Sequence, residues 1–134
     1  MKYMIDTCTL IWYMTRDKKL PDAIRDIIYN SDNVYVSITT LWEIALKQTT
    51  GKLSSVTKSI YEIAGLCVNN GIVIMPLKFA YLEGIKRLPF IHNDPFDRII
   101  IATAIEEDLT LLTKDSEIIK YDGVKTLWQT EKEE

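Results

Sequence analysis

Four carboxylates, those of Asp6, Glu43, Asp97 and Asp115, are spread over most of the chain, yet each stands where an apolar strand gives way to a helix or just inside a helix start. In an α/β domain such junctions collect along one edge of the sheet, so the four side chains are expected to meet in one crevice. Two like unit charges about 4 Å apart repel by roughly 4 kcal/mol at an effective dielectric of about 20, and four carboxylates multiply the pairs. A divalent cation converts that repulsion into ligation, and a set of oxygen donors favours Mg²⁺ or Mn²⁺ over softer metals. One His and two widely separated Cys are too few for a dedicated zinc site. The chemistry on offer is that of a hard metal held by acids.

Each acid also has an ordinary structural role open to it. Asp6 fits a helix N-cap, Thr40-x-x-Glu43 a capping box, and Asp115 a cap on the turn after it; Asp94-Pro95-x-Asp97 fits an N-cap, a proline at the first helical position and an acid in the first turn. The two roles part over direction: a capping oxygen turns back to backbone N–H groups, whereas a ligand points into the crevice. The joint placement of all four favours the crevice. Other reactive residues have plainer readings. His92, beside Asp94, reads as a structural hydrogen-bonding group, and Lys47, four residues after Glu43, as half of a helix-surface ion pair. Trp12, Trp42 and Trp128 lie among apolar neighbours and read as core, and Cys8 and Cys67 as small buried hydrophobes. Neither G-x-x-x-x-G-K-[ST] nor G-x-G-x-x-G is present, which removes the usual nucleotide-cradling loops.

The elements that must position these groups alternate between strand and helix. Lys2 to Ile5 reads as a strand and Thr7 to Met14 as a helix; Pro21 opens a second helix over Asp22 to Tyr29, and the turn Asn30 to Asn33 leads into the strand Val34 to Val36. Thr40 to Lys47 is helical and ends near Gly51, Val56 to Val68 is a further helix stopped by Asn69-Asn70-Gly71, and Ile72 to Met75 is a strand ended by Pro76. Phe79 to Arg87 is a short helix that Gly84 weakens. Arg98 to Glu107 is a strongly apolar helix, Leu109 to Thr113 a strand, Ser116 to Lys120 a helical turn and Val124 to Trp128 a closing strand. The alternation predicts an α/β fold, a parallel sheet of four to five strands between two layers of helices.

At 134 residues the chain is expected to form a single domain, residues 1–134, with enough core to need no disulfide or structural metal. The polar stretch Thr130 to Glu134 is expected to fray. A net charge of −3 argues against binding nucleic acid through a broad basic surface, but not against a phosphate-handling enzyme whose metal supplies the positive charge. No apolar run approaches the roughly 20 residues that span a bilayer, and Asp6 interrupts the only stretch that could begin a signal peptide, so a cytoplasmic location is expected.

Met4-Ile5-Asp6-Thr7-Cys8-Thr9-Leu10-Ile11-Trp12, the run from Ser37 to Lys47 with Gly51-Lys52-Leu53, and His92-Asn93-Asp94-Pro95-Phe96-Asp97-Arg98 resemble the PIN-domain nucleases. Thr113-Lys114-Asp115 and the closing strand extend the likeness over nearly the whole chain, and within the family the VapC-like toxins of toxin–antitoxin pairs are the most similar subgroup. Carried over, the family's metal-binding acids fall on Asp6, Glu43, Asp97 and Asp115, with Asp94, Thr7 and Thr113 as groups supporting them. Cys8 departs from the subgroup, which often has His there. The resemblance implies Mg²⁺- or Mn²⁺-dependent hydrolysis of RNA leaving 5′-phosphate and 3′-hydroxyl ends, an antitoxin that blocks the site, and a homodimer. Arg98, Lys114, Lys47 and Lys52 are candidate RNA contacts around the crevice.

Three rivals stay open. A non-catalytic RNA- or partner-binding module would keep the fold and hold RNA with or without metal. A Mg²⁺-binding phosphoacceptor switch would place a Lys after the last strand, where Trp128 stands. A phosphatase with an aspartate nucleophile needs D-x-D after the first strand, and Cys8 occupies the second acid's position.

Overall fold

The computed structural model describes residues 1–128; the stretch Thr130 to Glu134 lies outside them. The first strand, β1 (Tyr3–Ile5), runs into α1 (Thr7–Thr15) through the single residue Asp6, and α2 (Asp22–Asn30) follows. Next, β2 (Val34–Ser37) passes directly into α3 (Ile38–Thr49), then come α4 (Ile60–Asn69), β3 (Ile72–Met75) and α5 (Phe79–Arg87). The last third holds α6 (Pro95–Glu106), β4 (Thr110–Leu112), α7 (Ser116–Ile119) and β5 (Lys125–Leu127).

All strand pairs are parallel, in the order β3-β2-β1-β4-β5, so β1 is central and its neighbours β2 and β4 lie on opposite sides. Side-chain alternation sends Ile5 and Leu112 to one face of the sheet, with Leu10, Ile24, Ile28, Ile44 and Ile63 from the first four helices. Met4 and Leu111 face the other way and pack with Tyr81, Ile100, Ile101 and Ile118 from the last three. The result is the expected three-layer α/β/α arrangement.

Two helix starts lie elsewhere than the sequence patterns suggest. The segment around Thr40 does not form a capping box: β2 abuts α3 without a loop, Ser37 caps the helix through its hydroxyl, and Glu43 sits a turn further in. A complete capping box occurs instead at Ser59 and Glu62, which starts α4 at Ile60 rather than Val56. Gly71 takes a left-handed φ of 73°, the turn into β3 that Asn69-Asn70-Gly71 announces. Gly84 has a packing role: a Cβ there would lie 3.4 Å from that of Ala102, so its small size lets α5 sit close against α6.

Candidate active site

The order of the strands reverses at β1, and the carboxyl ends of β1 and β4, paired at Ile5 and Leu112, open onto the crevice that such a switch point creates. Asp6 leaves the end of β1, and Thr113 and Asp115 follow β4. Thr9 ties the two exits together by donating its hydroxyl to the Leu112 carbonyl at 3.0 Å. Glu43 comes from α3 after β2, and Asp97 from the first turn of α6, which begins at this edge because it returns along the sheet before β4.

Asp6 is buried. It caps α1, its Oδ1 accepting from the Thr9 N–H at 2.9 Å, while Oδ2 accepts a short hydrogen bond from the Thr113 hydroxyl. Thr113 in turn accepts from the Asp115 N–H at 3.1 Å, so one hydroxyl couples two of the predicted acids. Burial pushes the Asp6 carboxyl above its ordinary range, the hydrogen bonds from Thr113 and Thr9 oppose the shift, and the charge of Asp115 adds to it. Among the described residues no Lys or Arg is ion-paired with Asp6.

Glu43 is equally buried and both its oxygens are engaged. The Thr7 hydroxyl donates to Oε1 at 2.6 Å, and Lys47 Nζ lies 2.8 Å from Oε2. Because Thr7 spends its one proton on Glu43, the 3.2 Å contact between the Thr7 and Thr40 hydroxyls makes Thr40 the donor, a relay of two threonines behind the acid. The ion pair with Glu43 raises the Lys47 pKa.

Asp94 caps α6, its Oδ1 accepting from the N–H groups of Phe96 (2.9 Å) and Asp97 (3.3 Å), with Pro95 at the first helical position. Asp97 stands 2.9 Å from His92 Nε2. Its carboxyl is raised to about 6, first by burial and then by the charge of Asp94, against the His92 hydrogen bond, with Asp115 and Glu43 adding further repulsion. One ligand atom from each of His92, Asp94 and Asp97 lies within 4.8 Å of the other two. Among the described residues no three of Asp6, Glu43, Asp97 and Asp115 close to that distance. They share one electrostatic field while each is held by its own hydrogen bonds. Asp115 caps α7 through Oδ1, 2.8 Å from the Glu117 N–H. Asp6, Asp94 and Asp115 thus all take the capping role open to them, each at the start of a helix.

His92 is the hydrogen-bonding group the sequence suggests, with Asp97 as its partner, and the spacing His92-x-Asp94-x-x-Asp97 also brings it within reach of Asp94. Arg98 is a correction. Instead of facing a substrate it is buried, donating to the carbonyls of Pro89 (2.9 Å) and Ile85 (3.2 Å) and to the Tyr121 hydroxyl (3.3 Å) while stacking on Phe90. Tyr121 also accepts from the His92 N–H at 3.0 Å, so Arg98 and Tyr121 fix the segment that carries His92. Lys52 follows the end of α3, whose last residue is about 9 Å down the axis from Glu43, away from the crevice edge. Lys114 is exposed between Thr113 and Asp115 with its ammonium over Trp12.

Cys8 and Trp42 also depart from expectation. Cys67 is buried, but Cys8 is exposed by surface area; enough protein packs near its thiol that desolvation, then Asp6, Glu43 and Asp97 against Lys47, holds its pKa up at about 11. Trp12 and Trp128 pack on the core as expected, whereas Trp42 is 57% exposed and meets Phe96 edge-on at 4.9 Å.

Residues 3–124 match the sequence profile of the PIN domain. The chain belongs to the PIN domain family. The solved structures that share the fold of this PIN domain include VapBC2 from Rickettsia felis bound to a DNA fragment from its promoter, with a TM-score of 0.69 and 17% identity over 95% of this chain and 98% of that one. DNA-bound VapBC from Salmonella typhimurium gives 0.67 and 17% over 95% and 97%, and VapBC-5 from Mycobacterium tuberculosis gives 0.59 and 15% over 96% and 98%. Among curated proteins none matches the chain. No helix of the described residues is long and apolar enough to cross a membrane.

Proposed function

We propose that this PIN domain is a metal-dependent endoribonuclease, using Mg²⁺ or Mn²⁺, and the toxin of a VapC-like toxin–antitoxin pair. The observation that supports the reading is that Asp6, Glu43, Asp97 and Asp115, with Asp94, lie along one edge of the sheet within electrostatic reach of one another, where burial and neighbouring carboxylates hold Asp6 and Asp97 above the ordinary carboxylate range; a bound cation would draw them closer. The donor set fits a hard cation, being oxygen apart from His92. Asp6, Glu43, Asp97 and Asp115 would hold it. When bound, such an ion lowers the pKa of the water it coordinates and offsets charge on the phosphate.

The chain's own groups do the positioning. Thr113 orients Asp6, Thr7 orients Glu43, and His92 orients Asp97, each through a hydrogen bond to a carboxylate oxygen. Lys114 and Lys47 are the basic residues beside the crevice that a phosphate backbone would meet. Along α3 the partly exposed Ile38, Trp42 and Leu46, four residues apart, form an apolar stripe suited to a protein partner, which supports the homodimer and antitoxin readings. VapBC pairing among the neighbours of like fold supports the antitoxin. A cytoplasmic site of action belongs to the same proposal.

The binding-module reading predicts RNA retention that is indifferent to metal. The phosphoacceptor reading loses ground because strand order 3-2-1-4-5 differs from the 2-1-3-4-5 of that class and Trp128 follows β5. Purified protein incubated with a mixed RNA pool and Mg²⁺, Mn²⁺ or EDTA is expected to cleave only with metal, and Asp6→Asn or Asp97→Asn to lower the rate on the order of a hundredfold. Full metal-dependent activity in either variant would remove the assignment.

A further inference from the structure

We infer that Lys47 is the internal counter-ion of the crevice, occupying Glu43 in competition with a divalent ion; this rests on reading the crevice as a metal site. An ordinary i,i+4 ion pair lies on a solvated helix face with both partners exposed. Here the Glu43 side chain is 7% exposed and that of Lys47 43%, so the ammonium reaches inward to a buried acid. Among the described residues Lys47 is the only Lys or Arg within ion-pair distance of any of Asp6, Glu43, Asp94, Asp97 and Asp115. With Thr7 fixed on Oε1, Lys47 holds the remaining oxygen, Oε2. A metal that engages Glu43 must therefore share or displace the ammonium. The long flexible stem can swing into solvent without disturbing α3. Linkage makes the effect reciprocal: whatever factor the metal costs the ion pair, the ion pair costs the metal.

The test is calorimetric titration of Mn²⁺ into RNA-free protein. Lys47→Met, which keeps the stem and removes the charge, should bind Mn²⁺ about fivefold more tightly than wild type, the scale of a partly exposed ion pair. Lys47→Arg should stay close to wild type. In a Glu43→Gln background the gain from Lys47→Met should vanish, and Lys47→Gln repeats the measurement should the methionine variant fold poorly. Unchanged or weaker affinity in the charge-removing variants, or the same gain without the Glu43 charge, overturns the competition while leaving the metal site standing. Absence of Mn²⁺ binding by wild type overturns the metal reading and this inference together.

Discussion

Asp97 carries its charge at a cost. Its carboxyl moves from an ordinary 3.8 to about 6 on folding, because burial and then Asp94 disfavour the anion more than the His92 hydrogen bond favours it. A raised folded-state pKa means that the folded protein holds the proton more tightly than the unfolded chain. The stabilisation is complete below 3.8 and is lost as pH rises through about 6, and Asp6 is shifted in the same direction. In melts of metal-free protein, the advantage of Asp97→Asn over wild type should therefore grow between pH 4 and 7, by about 5 °C. Mn²⁺ at pH 7 should close that gap in wild type alone, and a pH-independent difference would refute the account. Thr113 offers a second test, since its hydroxyl accepts from the Asp115 N–H and donates to Asp6. Thr113→Val keeps the shape and removes both bonds, and should weaken Mn²⁺ affinity by roughly tenfold or more, whereas Thr113→Ser should preserve it.

At the scale of elements, the segment between α5 and α6 matters because it carries His92 and delivers Asp94 and Asp97 to the crevice. Arg98 holds it from behind, its guanidinium spent on loop carbonyls and Tyr121. Arg98→Met should cost roughly 3 kcal/mol in chemical denaturation, since the loop carbonyls and the buried Tyr121 hydroxyl lose a charged donor together. Lys114→Ala, at an exposed position, should change stability little; equal effects would contradict the distinction. Nothing in the sequence separates these two basic residues, because the carbonyls that claim Arg98 belong to an irregular segment whose path periodicity cannot show. Strands and helices, by contrast, were legible wherever apolar spacing was regular, as in Ile24 and Ile28 of α2 or the isoleucines of α6. The start of α3 was not, because its cap, Ser37, is also the last residue of a strand. Among the site residues, Asp6, Asp94 and Asp115 were legible through their junctions, while the tethers from Thr7 and Thr113 cross between elements and needed the fold to be seen.

For the molecule as a whole, the distribution of charge decides how the proposed RNA substrate would be held. The chain carries a net −3, five carboxylates lie along the edge of the sheet where the site is proposed, and of the four basic residues expected to grip a backbone, Arg98 is buried and Lys52 lies beyond α3. Lys47 and Lys114 remain beside the acids. Counter-ion release on a single strand scales at about 0.7 per neutralised phosphate, so two contacts give a log–log salt slope of about −1.4. RNA binding to the Asp6→Asn protein, measured by fluorescence anisotropy at fixed Mn²⁺ across a series of KCl concentrations, should show that shallow dependence. Lys114→Ala should reduce the slope by about half. A slope steeper than about −4 would require more basic contacts than Lys47 and Lys114 supply, and would direct attention to the other lysines and arginines of the chain or to a partner protein as the source of the grip.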